Sequence, residues 1–319
     1  MEKLLEVKDL KVSFFTDLGE TQAVKGAGFA IGEGDFFGIV GESGSGKSVT
    51  TKSILRLGPS NCKIMGGEIL FRGEDILKKN EAELRGIRGG EIAMIFQDSL
   101  SALNPVYTVG NKMVELIRRH TNMNKKEAKA RVLELLTAVG ITDPEKAMNS
   151  YPHELSGGMR QRVMIAMAMS SDPKILIADE PTTALDVTIQ AQILHLLLEL
   201  QKKNNMSIIL ITHDLGVVAQ TCKRVAVMCG GYVVEEGTVE EIFLHPGHPY
   251  TQALIASMPR VGGTFEQFLE RDLSDGNGDL CPFLNRCKYA DKPCEACLPK
   301  YYEASEGHRI FCHRREEKR

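Results

Sequence analysis

The order of hydrophobic and polar positions along the chain predicts strands and helices in turn. Apolar and β-branched residues near alternate positions predict two strands, at 4–15 and 21–31, joined by a turn at 17–20. Short apolar runs predict five further strands, at 36–40, 92–96, 175–178, 208–211 and 225–228. Apolar residues spaced by three and four predict helices at 47–57, 109–139 and 188–203. Strands that alternate with helices indicate an α/β fold with a largely parallel sheet.

The amino-acid composition of the chain changes near residue 240. A His-Pro-Gly-His-Pro run occupies 245–249, a Gly-Gly pair follows at 262–263, and Gly-Asn-Gly follows at 276–278. We therefore expect a large domain at 1–240, with an inserted helical subdomain over about 98–170, and a smaller domain at 241–319. No internal repeat or low-complexity tract is visible.

Composition narrows the class of protein. The 319 residues carry 39 Lys and Arg against 42 Asp and Glu, a formal net charge of −3, and 43% are hydrophobic. A chain of this kind can bury a large core, and its near-neutral charge argues against bulk binding of nucleic acid. The longest apolar run, at 163–169, is far shorter than the ~20 residues of a membrane-spanning helix. No secretory leader opens the sequence, so we expect a cytoplasmic protein.

A glycine-rich segment follows the predicted strand at 36–40 and precedes the predicted helix at 47–57. It matches the pattern G-x-x-x-x-G-K-[ST] with Gly41, Glu42, Ser43, Gly44, Ser45, Gly46, Lys47 and Ser48, and Val49 comes next. Its glycines allow backbone N–H groups to surround phosphate oxygens at a helix N-terminus. We expect Lys47 to reach the β and γ phosphates of a nucleotide, and the Ser48 hydroxyl to bind Mg²⁺. The alternative is a glycine turn without a ligand.

Two acids end the apolar run at 175–178. The carboxyl ends of parallel strands face the ligand crevice of such folds. Asp179 is therefore expected to support Mg²⁺, and Glu180 to act as the general base that polarises the attacking water. The alternative is an acid pair that merely stabilises a helix N-terminus.

A second glycine-containing segment opens a helix with Leu155, Ser156, Gly157, Gly158 and Met159. One chain needs a single cradle for a γ-phosphate, so a second anion-binding helix start suggests contact with a partner's nucleotide. With this motif the chain resembles the ATP-binding-cassette ATPases over about residues 4–240, although many members have Gln where Met159 stands. The resemblance implies a P-loop fold with a parallel-sheet core, an antiparallel β subdomain and a helical insertion.

The same resemblance assigns further residues. Gln97, in I-F-Q-D, matches the Q-loop residue that binds Mg²⁺ and senses the transmembrane partner. Asp186, in A-L-D, matches the D-loop, and His213, in I-T-H-D, matches the switch histidine that contacts the γ-phosphate. Phe14 stands where the family has an aromatic residue that stacks on adenine, and Phe15 is the alternative.

The resemblance further implies a head-to-tail dimer with ATP between the phosphate loop of one subunit and the Ser-Gly-Gly segment of the other. Stretches at 94–105, 151–162, 179–193 and 248–254 look like the oligopeptide and dipeptide permease branch of importers, and there like its D-type subunit. That branch pairs a D-type with an F-type ATPase subunit beneath two permease subunits. The ATPases lie at the cytoplasmic face of the membrane, and an extracytoplasmic binding protein delivers the peptide.

Cysteine is distributed unevenly, since five of the eight cysteines lie in the last 39 residues. A cytosolic chain keeps its thiols reduced, which favours a metal or cluster site over disulfides. The D-type resemblance implies a [4Fe–4S] cluster in the segment 281–312, with Cys281, Cys287, Cys294 and Cys312 as ligands. Zn²⁺ and free thiols are the alternatives. The family's usual I-P-G-x-x-P segment is missing before these residues.

We expect different roles for the other four cysteines. Cys297 forms a C-x2-C pair with Cys294 and is left over from the cluster assignment. We expect Cys62, Cys222 and Cys229 to be buried small apolar residues.

Three functions are compatible with these motifs. The first is the ATPase of a peptide importer. The second is the ATPase of a related importer for nickel or another small solute. The third is a cassette ATPase that acts on nucleic acid or ribosomes, which the single cassette and the near-neutral charge disfavour.

Overall fold

The computed structural model describes residues 3–97, 103–183, 185–258 and 280–314. The chain divides into two compact units. The first unit contains Met1–Gly32, Phe36–Leu77 and Thr212–Arg319, and the second contains Glu33–Asp35 and Lys78–Ile211. The region after residue 240 thus belongs to the same compact unit as the N-terminal strands. The predicted domain boundary near 240 concerns a division of the sequence and not of the compact units, and it stays a prediction.

The first unit holds most of the strands. They are β1 (Lys3–Thr16), β2 (Gly19–Gly32), β3 (Phe36–Val40), β4 (Cys62–Phe71), β5 (Glu74–Asp75), β9 (Arg224–Cys229), β10 (Tyr232–Thr238), β11 (Tyr301–Ser305) and β12 (His308–Phe311). Its helices are α1 (Lys47–Ile54), α8 (Leu215–Thr221), α9 (Val239–Leu244), α10 (Pro249–Ala256) and α11 (Lys292–Ala296).

Two sets of paired strands organise the first unit. An antiparallel sheet runs in the order β2-β1-β4-β5, with its buried face formed by residues such as Leu5, Leu10 and Phe29. In the other set β3 lies parallel to β9, β9 pairs antiparallel with β10, and β10 pairs antiparallel with β12. Strand β11 completes a C-terminal hairpin with β12. The C-terminal region therefore extends the set of strands that begins with β3, which positions the phosphate loop.

The second unit is built on three parallel strands. They are β6 (Ile92–Ile95), β7 (Ile175–Asp179) and β8 (Ser207–Thr212), with β7 between the other two. Every residue of β7 is buried, as expected for a strand covered on both faces. The helices are α2 (Glu81–Ile87), α3 (Val109–His120), α4 (Lys125–Ala138), α5 (Pro144–Asn149), α6 (Gly157–Ala168) and α7 (Val187–Asn204).

The prediction of one helix over 109–139 is wrong. Two helices, α3 and α4, occupy this stretch. The break occurs because Asn124 forms a capping box: its side chain accepts from the Lys126 and Glu127 N–H groups, and the Glu127 carboxylate accepts from the Asn124 N–H. The helix predicted at 47–57 also ends early, at Ile54, and Arg56 takes a left-handed backbone conformation with φ +51°.

The remaining element predictions agree closely with the structure. The strands predicted at 4–15, 21–31, 36–40, 92–96, 175–178, 208–211 and 225–228 each match an observed strand within two residues, as does the helix predicted at 188–203. Strands β4 and β10 and the C-terminal hairpin had no sequence prediction. The residues at 98–102, where the helical insertion was expected to begin, Ala184 of the A-L-D motif and the glycine-containing stretch at 261–279 lie outside the described residues. Among the described residues, no helix is long and apolar enough to cross a membrane.

Candidate nucleotide site and cysteine pocket

The phosphate loop connects β3 to α1, and two of its glycines approach other backbone atoms closely. Gly41 has φ +152°, and a Cβ atom there would lie 2.1 Å from the carbonyl oxygen of Met228. Gly46 has φ +99°, and its Cβ would lie 2.7 Å from the carbonyl oxygen of Ala23. Only glycine fits such positions without moving backbone. These contacts explain why glycine occupies positions 41 and 46 of the motif.

Lys47 is held against the loop that it follows. Its ammonium group donates to the carbonyl oxygens of Gly41 and Glu42, both at 2.7 Å, and the residue is 5% exposed. Helix α1 begins behind Gly46 with no side-chain cap. The positive end of the α1 helix dipole and the Lys47 ammonium group therefore lie together at the phosphate loop, an arrangement that suits an anion. Ser48 and Val49 are half-buried in the first turn of α1, whereas Ser43 and Gly44 are exposed and Ser45 is buried.

The second unit brings Gln97 and Glu180 together. Ile95 pairs with Ala178 in the parallel ladder, so the residues two positions further along, Gln97 and Glu180, meet at the same strand edge. The Gln97 amide donates to the Glu180 carboxylate at 2.8 Å, and the Thr183 hydroxyl donates to the same oxygen at 2.8 Å. Glu180 has a left-handed φ of +46°. A backbone in this region stores strain that the surroundings must hold, a feature common at functional sites. Asp179, one residue earlier, is buried.

The Ser-Gly-Gly segment opens α6, as the sequence predicts. Ser156 is the N-cap residue, and its hydroxyl accepts from the Met159 N–H at 3.3 Å. Ser156 is exposed, whereas Gly157, Gly158 and Met159 are partly buried. Asp186 caps α7 in the same manner, with its carboxylate accepting from the Ile189 N–H at 2.9 Å. Both predicted residues therefore have a local structural role whether or not they meet a nucleotide.

The remaining predicted nucleotide contacts lie in the first unit. His213 is exposed directly after β8, and the next residue, Asp214, caps α8 by accepting from the Gly216 and Val217 N–H groups. Phe14 and Phe15 are both half-buried in β1. The ammonium group of Lys63 lies 5.2 Å from the centre of the Phe15 ring, so Phe15 already has a cation partner. This contact is a reason to keep Phe14 as the preferred adenine-stacking residue.

The four cysteines predicted as ligands surround a single pocket. Cys281, Cys287, Cys294 and Cys312 all line an atom-free volume of about 300 Å³, part of which is open to solvent. Burial is the main reason that the pKa of Cys281 is raised, to about 12, and the neighbouring thiols of the other three raise it further. Burial likewise raises the pKa of Cys294 to about 11. Since each thiol disfavours ionisation of the others, four thiolates would need a cationic group among them.

The other cysteines are outside this pocket. Cys297 is exposed. Cys222 and Cys229 are buried, as predicted, and burial raises the pKa of each thiol to about 12. Cys62 is half-buried, so the prediction of full burial is wrong for that residue. All eight described cysteines are free thiols. Within the described ranges no three His, Cys, Asp or Glu side chains converge on one point as the ligands of a metal ion would.

The buried carboxylate of Glu235 was missed by the sequence analysis. It accepts hydrogen bonds from the backbone N–H groups of Gly247 and His248, at 2.8 and 2.9 Å, and contacts the His308 ring nitrogen at 2.7 Å. These bonds fix the His-Pro-Gly-His-Pro loop against β10 and β12. The available signal was a pair of acids, Glu235 and Glu236, inside an otherwise apolar run.

Two family models match this chain. Residues 24–183 match the ABC transporter family, and residues 234–294 match the C-terminal region of oligopeptide and dipeptide transporters. A dimeric ATP-binding cassette in a post-hydrolysis state, bound to ADP and Pi, is similar in structure with a TM-score of 0.66 and 30% identity. That match covers 74% of this chain and 98% of the solved one. The phosphate loop, the acids after β7 and the fold thus define a P-loop ATPase of the cassette class, and the chain belongs to the ATP-binding proteins of ABC transporters.

Within that family, several similar relatives are peptide-transport proteins. The dipeptide transport ATP-binding protein DppD of Bacillus subtilis is 50% identical to this chain, over 98% of this chain and 95% of its own length. The oligopeptide transport ATP-binding protein OppD of the same organism is 51% identical, over 97% and 88%. A dipeptide transport ATP-binding protein of Escherichia coli is 46% identical, over 97% and 96%.

Proposed function

We propose that this chain hydrolyses ATP to power the uptake of dipeptides or oligopeptides by an ABC importer. The observation that carries the proposal is the C-terminal match at 234–294, because the cassette alone is common to importers of many solutes. The relatives named for dipeptide and oligopeptide transport support the same substrate class. In this proposal 1–240 is the nucleotide-binding module, with its helical subdomain at about 98–170, and 241–319 is the peptide-permease module.

We assign the nucleotide contacts as follows. The loop at 41–48 surrounds the phosphates of ATP, Lys47 neutralises the β and γ phosphates, and Val49 continues the loop into α1. Mg²⁺ is bound by Ser48, Gln97 and Asp179. Glu180 is the general base, and its hydrogen bond from the Gln97 amide ties the base to a magnesium ligand. His213 senses the γ-phosphate, and Phe14 stacks on adenine.

We propose that the active form is a head-to-tail pair with a second, F-type ATPase subunit, docked on two permease subunits at the cytoplasmic face of the membrane. The exposed start of α6 supports this assignment, because Ser156, Gly157, Gly158 and Met159 can then meet the nucleotide of the partner, with Asp186 beside them. The similar solved cassette is a dimer bound to ADP and Pi. An extracytoplasmic binding protein would deliver the peptide, so this chain would not touch it.

We further propose that the cysteine pocket holds a [4Fe–4S] cluster. The donor set suits a cluster, because four thiols line one volume and thiolates are the usual ligands of iron–sulfur clusters. His248 also lines the pocket, and its buried Nε2 atom has no hydrogen-bond partner among the described residues. Burial lowers the pKa of His248 to about 4, although Glu235 and the Phe311 carbonyl oppose the shift, so the ring is neutral.

When bound, such a cluster would cross-link a segment too short to form its own core. The described part of this segment, 280–314, has three short elements, α11, β11 and β12. The protein purified without oxygen should be brown and contain iron and sulfide in about equal amounts. A colourless protein loaded with zinc would rule out the cluster.

The substrate is tested by assembling the chain with its permease and ATPase partners in proteoliposomes. The proposal predicts that peptide presented with the binding protein stimulates ATP hydrolysis and that Glu180→Gln abolishes the stimulated rate. Stimulation by nickel, with no response to di- or oligopeptides, would replace the peptide assignment by that of a small-solute importer.

A further inference from the structure

The phosphate-loop residue Glu42 is held by the C-terminal region at both its main chain and its side chain. Its backbone N–H donates to the Tyr250 hydroxyl at 2.9 Å. Its carboxylate accepts two hydrogen bonds from the Arg286 guanidinium, at 2.9 and 2.8 Å. Tyr250 and Arg286 lie 208 and 244 residues away in sequence, and all three belong to the first unit.

The geometry of the Arg286 contact is fixed by aromatic neighbours. The guanidinium lies 5.2 Å from the Phe283 ring centre and 5.9 Å from that of Tyr250. The two rings pack edge to face at 5.3 Å, and Tyr250 is 1% exposed. Because the rings hold the planar guanidinium, little side-chain freedom is lost when both of its donors reach the carboxylate. A lysine could not reproduce this two-point contact.

Glu42 in turn sets the shape of the loop that binds phosphate. Its carbonyl oxygen accepts from the Lys47 ammonium group at 2.7 Å and from the Ser45 N–H at 3.2 Å. Moving Glu42 would therefore move the acceptor that positions Lys47. The side chain of Glu42 is 46% exposed, so water screens the ion pair and its effect on overall stability is small. The contact bears on loop geometry more than on folding.

A second, indirect contact links the segment at 282–286 to the phosphate loop. Pro282 packs on Gly230, where a Cβ atom would lie 2.6 Å from the Cβ of Pro282. The next residue, Gly231, donates its N–H to the Ser45 carbonyl oxygen at 3.1 Å. The segment at 282–286 thus supports the phosphate loop from two directions.

We propose that Arg286 is a positioning residue for ATP binding, which acts through Glu42 to hold the phosphate loop and Lys47 in the binding geometry. Tyr250 assists by fixing the Glu42 main chain. The C-terminal region is then part of the machinery that sets ATP affinity. The inference requires that the loop bind ATP, but it requires neither a peptide substrate nor a cluster.

The test is ATP binding by the full-length chain, measured with a fluorescent ATP analogue and Mg²⁺. Arg286→Gln should weaken binding about three- to tenfold, because it removes a charge-assisted pair of hydrogen bonds. Arg286→Lys should be intermediate. Tyr250→Phe should weaken binding by a smaller factor, since it deletes only the hydroxyl. Lys288→Gln is the matched control, because Lys288 lies over the Tyr289 ring in the same segment and is not in the Glu42 contact.

A double-mutant cycle separates positioning from other roles. If Arg286 acts through Glu42, then Glu42→Gln with Arg286→Gln should bind ATP no more weakly than the weaker single variant. The KM for ATP should rise in the assembled transporter while kcat stays near wild type, and the unfolding temperature and iron content should match those of the Lys288→Gln control.

Three results would overturn the inference. Arg286→Gln could bind ATP as tightly as the control. The two substitutions could have fully additive effects, which would mean that Arg286 acts independently of Glu42. The wild-type chain could fail to bind ATP, in which case the proposed function falls as well. Normal wild-type binding with an unaffected Arg286→Gln variant removes only the positioning role.

Discussion

Helix α1 begins after a glycine-rich loop and helix α6 begins with two glycines, but the acceptors for their N-terminal N–H groups differ. Helix α1 starts behind Gly46, which has φ +99° and supplies no side-chain cap. Helix α6 starts behind Ser156, whose hydroxyl already accepts from the Met159 N–H. The first helix start therefore lacks a side-chain cap and has a lysine held beside it, whereas the second is capped by a side chain of its own chain.

A third loop has another kind of acceptor for its backbone N–H groups. The backbone N–H groups of Gly247 and His248 bind the buried carboxylate of Glu235, an anion that the chain itself supplies. The acceptor thus differs among the three segments: an internal carboxylate at the third loop, a serine hydroxyl at the start of α6, and no side-chain acceptor at the start of α1. The difference lies in which acceptor the fold places in reach, and four predictions test it.

The largest effect is expected for Lys47→Ala. This variant removes the only charge that the phosphate loop at 41–48 directs at an anion, apart from the helix N-terminus, so ATP affinity should fall at least about a hundredfold. A titration with a fluorescent ATP analogue measures the loss. Lys126→Ala, on the exposed first turn of α4, is the control. Wild-type affinity in Lys47→Ala would mean that α1 is not the phosphate-binding helix.

The next prediction compares Gly46, which precedes α1, with Gly158, which lies in the first turn of α6. Gly46→Ala forces a left-handed φ on alanine and places its Cβ 2.7 Å from the Ala23 carbonyl oxygen, so the free energy of unfolding should fall by about 2 kcal/mol or more. Gly158→Ala meets the Ile189 side chain at 3.1 Å and gains helix propensity, so it should change stability by less than about 1 kcal/mol. Urea unfolding of both variants checks the order. Equal losses would contradict the stated difference between the two helix starts.

Ser156→Ala should have a smaller effect that depends on assembly. Removal of the N-cap should cost about 1 kcal/mol of stability and leave ATP binding by the isolated chain unchanged. In the assembled transporter the same variant should slow hydrolysis, and Ser156→Thr should restore the cap. Denaturant unfolding and ATP titration are measured on the isolated chain, and steady-state hydrolysis is measured on the assembled transporter. Loss of ATP binding in the isolated Ser156→Ala chain would place α6 in the chain's own nucleotide site.

The smallest expected effect is a pH dependence of folding stability at the buried pair of Glu235 and His308. Burial lowers the pKa of His308, but the hydrogen bond and charge of Glu235 outweigh it, so the net pKa is raised above 6.5. A group whose folded pKa is raised stabilises most below its unfolded pKa, and this contribution is lost as pH rises through the folded value. Stability should therefore decline as pH rises from about 6.5 through the raised folded pKa, and His308→Gln should flatten the decline. A slope that is unchanged in His308→Gln would assign the pH dependence to other groups.

The nucleotide loop could be predicted from the sequence because its determinants are local. Eight consecutive residues, a buried strand before them and a helix after them specify a loop around Gly41 and Lys47. The acids at 179–180 were assigned from the rule that the carboxyl ends of parallel strands face the ligand crevice, whereas the hydrogen bond between Gln97 and Glu180 had no sequence prediction. The helix break before α4 was also local, and the Asn124 and Glu127 capping box was a readable signal.

The contacts of the C-terminal region could not be predicted in this way. Nothing near Arg286 in sequence indicates that its partner is Glu42, 244 residues away, because the contact depends on how β12 joins β10. The four thiols at 281–312 were grouped by the family resemblance, but the neutral ring of His248 at the same pocket became visible only in three dimensions.

The role of Glu180 tests the central claim, that this chain is an ATPase whose hydrolysis drives import. The decisive measurement is single-turnover hydrolysis by the assembled transporter carrying Glu180→Gln, a substitution that keeps the size of the side chain and removes its basicity. The account predicts that the variant binds ATP with near wild-type affinity, retains it and hydrolyses it at least about a hundredfold more slowly. Hydrolysis near the wild-type rate would contradict the account, because Glu180 would then not be the base.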